Sequence, residues 1–194
     1  HHRLVGSEMC IRDSFNFVHI ILIITKMNKL NILTFPDPRL RKTAEPVIDF
    51  NDELKSMASD MLYTMYEDKG IGLAATQVDI HKRLIVIDLS EDKSSPLYII
   101  NPDYEILDDT LELSEEGCLS IPSFRQEVKR AKKIKLKYQD LNGLDKELTA
   151  EGLLGFCIQH EIDHLNGKLL VDYSSSLKRN RIRDKLLKLK DEKK

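Results

Sequence analysis

The segment Gln159-His160-Glu161-Ile162-Asp163-His164 sets two imidazoles four residues apart with a carboxylate directly after the first. Residues four apart on a helix share a face, so His160 and His164 can offer two ring nitrogens to one metal ion. Glu161 stands where the H-E-x-x-H pattern of zinc hydrolases carries its proton-transfer group. The flanking Leu153, Leu154, Phe156, Cys157, Ile158, Ile162 and Leu165 make the helix apolar nearly all round, which predicts burial. Two buried imidazoles beside a carboxylate need partners, and a metal supplies one.

Two histidines do not complete such a site, because catalytic zinc-type centres take three protein ligands and leave a position for water. Cys118, in Glu115-Glu116-Gly117-Cys118-Leu119-Ser120, is the best third ligand, since a cation readily deprotonates a thiol in a polar, looped stretch. Cys157 lies three residues before His160 on the same helix face and offers an alternative as a fourth ligand. Four protein ligands would make the metal structural and leave Glu161 without a purpose, so Cys157 is read as pocket wall. A third segment, Gly70-Ile71-Gly72-Leu73-Ala74-Ala75-Thr76-Gln77, has the small residues that allow close backbone approach. It lacks the spacing of a phosphate-binding loop.

The elements around these segments predict one α+β domain in which antiparallel strands pack around a buried metal-binding helix, with a further helix at the C-terminus. A strand-like piece covers Leu30 to Phe35. Asn51 caps a helix carrying Leu54, Met57, Ala58, Met61, Leu62 and Met65, and this helix ends at Gly70. Strand patterns follow at Leu84 to Leu89, Leu97 to Ile100, Tyr104 to Leu107 and Ile134 to Tyr138, and Asn142-Gly143 predicts a hairpin turn between Leu136 and Leu148. The metal helix runs from about Ala150 to Asn166 and stops at Gly167. A last helix opens at Ser174, Ser175 or Ser176, with Ile182, Leu186 and Leu189 on one stripe.

The chain has 194 residues, 41% hydrophobic and 32% charged, which suits a single folded domain with a substantial core. Three cysteines, Cys10, Cys118 and Cys157, argue against a disulfide framework and for a reducing compartment, the cytoplasm. Residues 1–26 do not fit the rest: the apolar run Phe17 to Ile24 contains His19, lacks a cleavage site and is too short to span a bilayer. Met27 is therefore read as the start of the domain and 1–26 as a non-native or disordered leader, with no membrane association. From Leu177 to Lys194 there are nine Lys and Arg against three Asp and Glu, although the whole chain is at −2. A basic appendage on an acidic body invites a polyanionic partner for that appendage.

Taken together, the three segments resemble the motifs of the peptide deformylase family, in that family's order and spacing, and the EGCLS form with an extended C-terminal helix is similar to its bacterial type 1 group. The resemblance runs from about Met27 to the C-terminus, as a catalytic domain over 27–176 followed by a basic helix over 177–194. It implies that Cys118, His160 and His164 hold one divalent ion, commonly iron(II) in the family and replaceable by zinc, nickel or cobalt. It further implies hydrolysis of the formamide on the N-terminal formyl-methionine of nascent polypeptides, with release of formate. Glu161 would move the proton, and the Leu119 N–H and Gln77 amide would hold the developing oxyanion. Gly70, Ile71, Gly72, Glu116, Gly117, Leu153, Phe156 and Cys157 would form the substrate site, with Arg125 orienting the peptide. Phe156 and Ser114 depart from the aliphatic residues expected there. A monomer is expected, docking to ribosomal RNA and exit-site proteins through the basic helix. Two rivals remain at this point: a zincin-type peptidase with a downstream third ligand, and a ribosome-binding module whose metal only stabilises the fold.

Overall fold

The computed structural model describes residues 27–192, so the leader expected over 1–26 lies outside the described residues. Helix α1 (Asp52–Glu67) begins where Asn51 accepts the Leu54 N–H on its side chain at 3.0 Å, as the sequence predicts. Strands β1 (Gly72–Ala74), β2 (Leu84–Ile87), β3 (Leu97–Gly117), β4 (Arg125–Gln139) and β5 (Asp145–Glu151) follow. Helix α2 (Gly152–Leu165) and helix α3 (Ser176–Asp191) complete the order. All neighbouring strands pair antiparallel in one five-stranded sheet, in the order β1-β2-β3-β4-β5.

Strand β2 explains how the sheet is covered. Its four residues are all buried, because alternate side chains face two different helices. Leu84 and Val86 join Leu54, Met61 and Met65 of α1, whereas Ile85 and Ile87 join Ile158, Ile162 and Leu165 of α2. Burying side chains of this size stabilises the fold by roughly 2 kcal/mol apiece. A third cluster unites Leu33, Phe35 and Leu40 with Ile121, Leu170, Ile182 and Leu186, and so fastens α3 to the body.

Several expectations change. Leu30 to Phe35 is not a strand: its backbone crosses the body singly, with Leu33 N–H donating to the Gln77 carbonyl and Phe35 N–H to the Ser120 carbonyl. The pieces expected at Leu97 and Tyr104 are one strand of 21 residues that continues through the supposed loop to Gly117. Register shifts between Ile100 and Asp103, Ile106 and Asp108, and Asp108 and Leu111 bend it, which hides its alternation. Leu153 is exposed and Phe156 half-buried, so the first turn of α2 is open rather than apolar all round. Leu189 is exposed, leaving Ile182 and Leu186 as the buried stripe of α3. Among the described residues no helix is long and apolar enough to cross a membrane.

The end of α2 is fixed sharply. Lys168 N–H donates to the Asp163 carbonyl at 2.9 Å and Gly167 N–H to the His164 carbonyl at 3.0 Å, a paired closure that requires a left-handed residue. Gly167 has φ +73°, and a Cβ there would collide with the Arg41 carbonyl. Gly167→Ala is therefore expected to destabilise the protein by about 2 kcal/mol or more in urea unfolding; unchanged stability would show that the closure is not under this constraint.

Candidate active site

Helix α2 is held to the sheet by a side chain acting as backbone. Gln159 Nε2 donates to the carbonyls of Ala131 and Gly155, each at 3.0 Å, and its Oε1 accepts the Ala131 N–H at 3.1 Å. This pins the face of α2 that carries His160 and His164, whose rings meet edge to face with centroids 4.9 Å apart. Cys118 arrives from the other side, just after β3, in a turn closed by Ile121 N–H on the Cys118 carbonyl at 2.9 Å. Its Sγ lies 3.1 Å from His164 Nε2. One donor atom from each of Cys118, His160 and His164 lies within 4.8 Å of the other two, the one such group of metal-binding residues found among the described residues.

The geometry around His160 fixes which nitrogen is free. The ionised Glu116 carboxylate can only accept, so His160 donates Nδ1–H to Glu116 Oε2 at 2.8 Å, leaving Nε2 with its lone pair toward Cys118. Glu116 is in turn forked by Arg130, with Nε to Oε1 at 2.8 Å and Nη2 to Oε2 at 2.9 Å. Burial alone would raise the Glu116 pKa, but the bonds from Arg130 and His160 outweigh it and bring the value down to about 2. Burial pushes His164 well below the ordinary imidazole range and keeps it neutral, the form that binds metal.

Glu161 stands in contrast. It is buried, its Oε2 has no hydrogen-bond partner among the described residues, and burial raises its pKa to about 7. A carboxylate poised near neutrality in a cleft is suited to carrying a proton. Gly72 makes room for it, since a Cβ there would lie 2.6 Å from Glu161 Oε1 and 2.8 Å from Cys157 Sγ. The donor set of one thiol and two imidazoles, with an unpartnered carboxylate oxygen adjacent, fits a single divalent ion. Cys157, whose thiol burial and Glu161 keep protonated, stands outside the three-residue group.

Gln77 projects from the 3-10 turn Ala75–Val78. Its Oε1 accepts the Ala74 N–H at 2.9 Å, while Nε2 donates to Ser120 Oγ at 3.1 Å and lies 3.5 Å from Cys118 Sγ. Above these groups opens a cleft of about 770 Å³. Gly70, Ile71 and Gly72 form one wall and Glu116, Gly117 and Leu119 a second. Leu153, Phe156 and Cys157 form a third, with Arg125 at the exposed rim and Ser114 also lining it. Every residue expected at the substrate site thus lines one cavity. Sequence reasoning did not find Arg130, Asp163 or Tyr173. Arg130 shares the inward parity of Val128 on β4, and a buried arginine at such a position must be paired, which is the signal that could have found it.

Comparison with known proteins points the same way. The peptide deformylase of Hahella chejuensis is 59% identical over 162 residues, covering 84% of this chain and 96% of that protein. That of Pseudomonas aeruginosa is 57% identical over 159 residues, covering 82% and 95%. Among solved structures, a peptide deformylase from Legionella pneumophila superposes with a TM-score of 0.79 at 46% identity, covering 84% of this chain and 96% of its own. Another from Ehrlichia chaffeensis, crystallised in complex with actinonin, gives 0.80 at 37% identity, covering 84% and 98%. The polypeptide deformylase family model matches residues 29–180, and with that span and these identities the chain belongs to the polypeptide deformylase family.

Proposed function

We infer that this protein is a metal-dependent hydrolase that removes the formyl group from the N-terminal formyl-methionine of nascent polypeptides. The observation that carries the mechanism is the convergence of Cys118, His160 and His164 beneath an open cleft, beside a Glu161 carboxylate whose Oε2 has no hydrogen-bond partner among the described residues. Cys118 Sγ and the Nε2 atoms of His160 and His164 would hold the ion, and we assign iron(II) as the resident one, with zinc, nickel or cobalt able to replace it. A divalent ion supplies Lewis-acid polarisation of a carbonyl and a lowered pKa for water.

The roles of the chain's own residues follow from their positions. Glu161 takes the proton from the attacking water and returns it to the departing amine, while the formyl carbon leaves as formate. Gln77 Nε2, its orientation fixed by Ala74 and Ser120, and the Leu119 N–H donate to the developing oxyanion, each such donor typically worth about 3 kcal/mol. The backbone of Gly70 to Gly72 and of Glu116 and Gly117 flanks the extended peptide. Ile71, Leu153, Phe156 and Cys157 enclose the methionine side chain, and Arg125 orients the chain beyond it. A formyl carbon carries only hydrogen, so crowding around Glu161 and Gly72 favours formyl over acetyl.

Two rivals lose support. A peptidase of that kind takes its third ligand from downstream of the two histidines, whereas the residue grouped with them here is Cys118, upstream of the helix. A closed structural metal needs Cys157, which is not in the ligand group. We further propose that 27–176 is the catalytic domain and 177–194 a basic helix. Lys178, Arg179, Arg181, Arg183, Lys185, Lys188 and Lys190 would then dock a cytoplasmic monomer on ribosomal RNA and exit-site proteins. Support comes from α3 turning Ile182 and Leu186 inward and leaving most of these cations exposed.

Three measurements test this. In an anaerobic formate-release assay on formyl-Met-Ala-Ser, Glu161→Gln should lower kcat by a factor on the order of 100 or more with metal retained, and Cys118→Ser should lose the metal. Full activity in either variant contradicts the assignment. Glu116, ionised in the fold with a pKa of about 2, contributes stability that is fully present above its unfolded value near 4.5. That contribution disappears as pH falls through about 2, so the stability gap between wild type and Glu116→Gln should shrink by about 3 kcal/mol over that window. A pH-independent gap would refute the ion-pair account. Ribosome binding in a sedimentation assay should weaken steeply and linearly in log salt; salt-insensitive binding would exclude the basic helix as its source.

A further inference from the structure

A chain of contacts runs from the surface to His160 through a residue that does not line the cleft. The Tyr173 hydroxyl donates to Asp163 Oδ2 at 2.6 Å and accepts from Arg130 Nη1 at 3.0 Å and Lys168 Nζ at 2.6 Å, using the oxygen's full capacity. Arg130 Nη1 also reaches Asp163 Oδ2 at 2.6 Å, so the hydroxyl and Asp163 together fix one end of the guanidinium. The other end forks Glu116, which holds His160 Nδ1. The Tyr173 ring adds a face contact to Arg130, 5.0 Å from Cζ to centroid, and another to Lys168, 4.0 Å from Nζ.

The placement of Tyr173 is itself constrained. It closes the 3-10 turn Leu170–Tyr173, where Asp172 accepts the Leu169 N–H at 2.9 Å and pairs with Arg41 and Arg179. This turn follows α2 directly after the Gly167 closure, so the hydroxyl is delivered to Arg130 by a short, fastened segment. A guanidinium buried at 4% exposure keeps one orientation only while each of its donors has a partner.

We propose that Tyr173 is a positioning residue for the metal centre: its hydroxyl locks Arg130, which locks Glu116, which aims the Nε2 of His160. The inference rests on the deformylase reading only in requiring that His160 hold an ion. Tyr173→Phe removes the oxygen and keeps the ring, with its packing and its contacts to both cations. Groups that orient metal ligands from outside typically change metal affinity 10- to 100-fold.

The test uses zinc-loaded full-length protein and a chromogenic chelator. Tyr173→Phe should release zinc about tenfold faster than wild type and should narrow the gap between the melting temperatures of the zinc-loaded and metal-free forms. KM for formyl-Met-Ala-Ser should stay unchanged, since Tyr173 is not a wall of the cleft. Release at the wild-type rate, or equal lowering of both melting temperatures, overturns the proposal and makes Tyr173 a packing residue. Failure of the wild type itself to take up zinc would overturn the deformylase reading, and this inference with it.

Discussion

The Glu116 carboxylate, buried between Arg130 and His160, is the contact on which the rest of the site depends. Alone, a buried carboxylate would be driven to its neutral form. Flanked by a permanent cation and a ring N–H, it stays ionised, and its charge then dictates the tautomer of His160. Breaking such a pair by removing one partner leaves an uncompensated charge, which costs about 3–5 kcal/mol. Each of the three residues sits on a different element: Glu116 near the end of β3, Arg130 on β4 and His160 on α2. The same contact therefore ties the long hairpin to the metal helix and aligns Cys118, two residues beyond Glu116, with the two imidazoles.

Two carboxylates beside the same centre, Glu116 from β3 and Glu161 from α2, have opposite environments, and their chemistry diverges accordingly. Glu116 has its full complement of partners and is held acidic, which suits a permanent structural charge. Among the described residues Glu161 has no partner for one oxygen, and burial pushes its pKa upward, which suits a group that must gain and lose a proton. Gly72 and the protonated thiol of Cys157 line the space around it without offering a competing charge.

The site was more legible in the sequence than the scaffold. His160, Glu161 and His164 declare themselves through helical spacing, and that local rule survives folding. Cys118 stood out from the core Cys157 by its polar, looped surroundings, whereas Gln77 and the glycines of 70–72 became readable only as part of a set of motifs. The 21-residue β3 was read as two short strands and a loop, since its bulges break the alternation and its exposed stretch pairs on one side alone. Leu30 to Phe35 has strand composition but no ladder, its hydrogen bonds going to isolated carbonyls of Gln77 and Ser120. Arg130 and Tyr173 were missed for a related reason: their role exists only through partners far away in sequence.

The most direct test of the metal centre is X-ray absorption spectroscopy on protein purified anaerobically. One sulfur and two imidazole nitrogens around a single ion, with a remaining oxygen donor exchangeable with solvent, is the predicted shell. Two sulfurs, or a shell without sulfur, would contradict the account, because either Cys157 would then close the site or Cys118 would not belong to it.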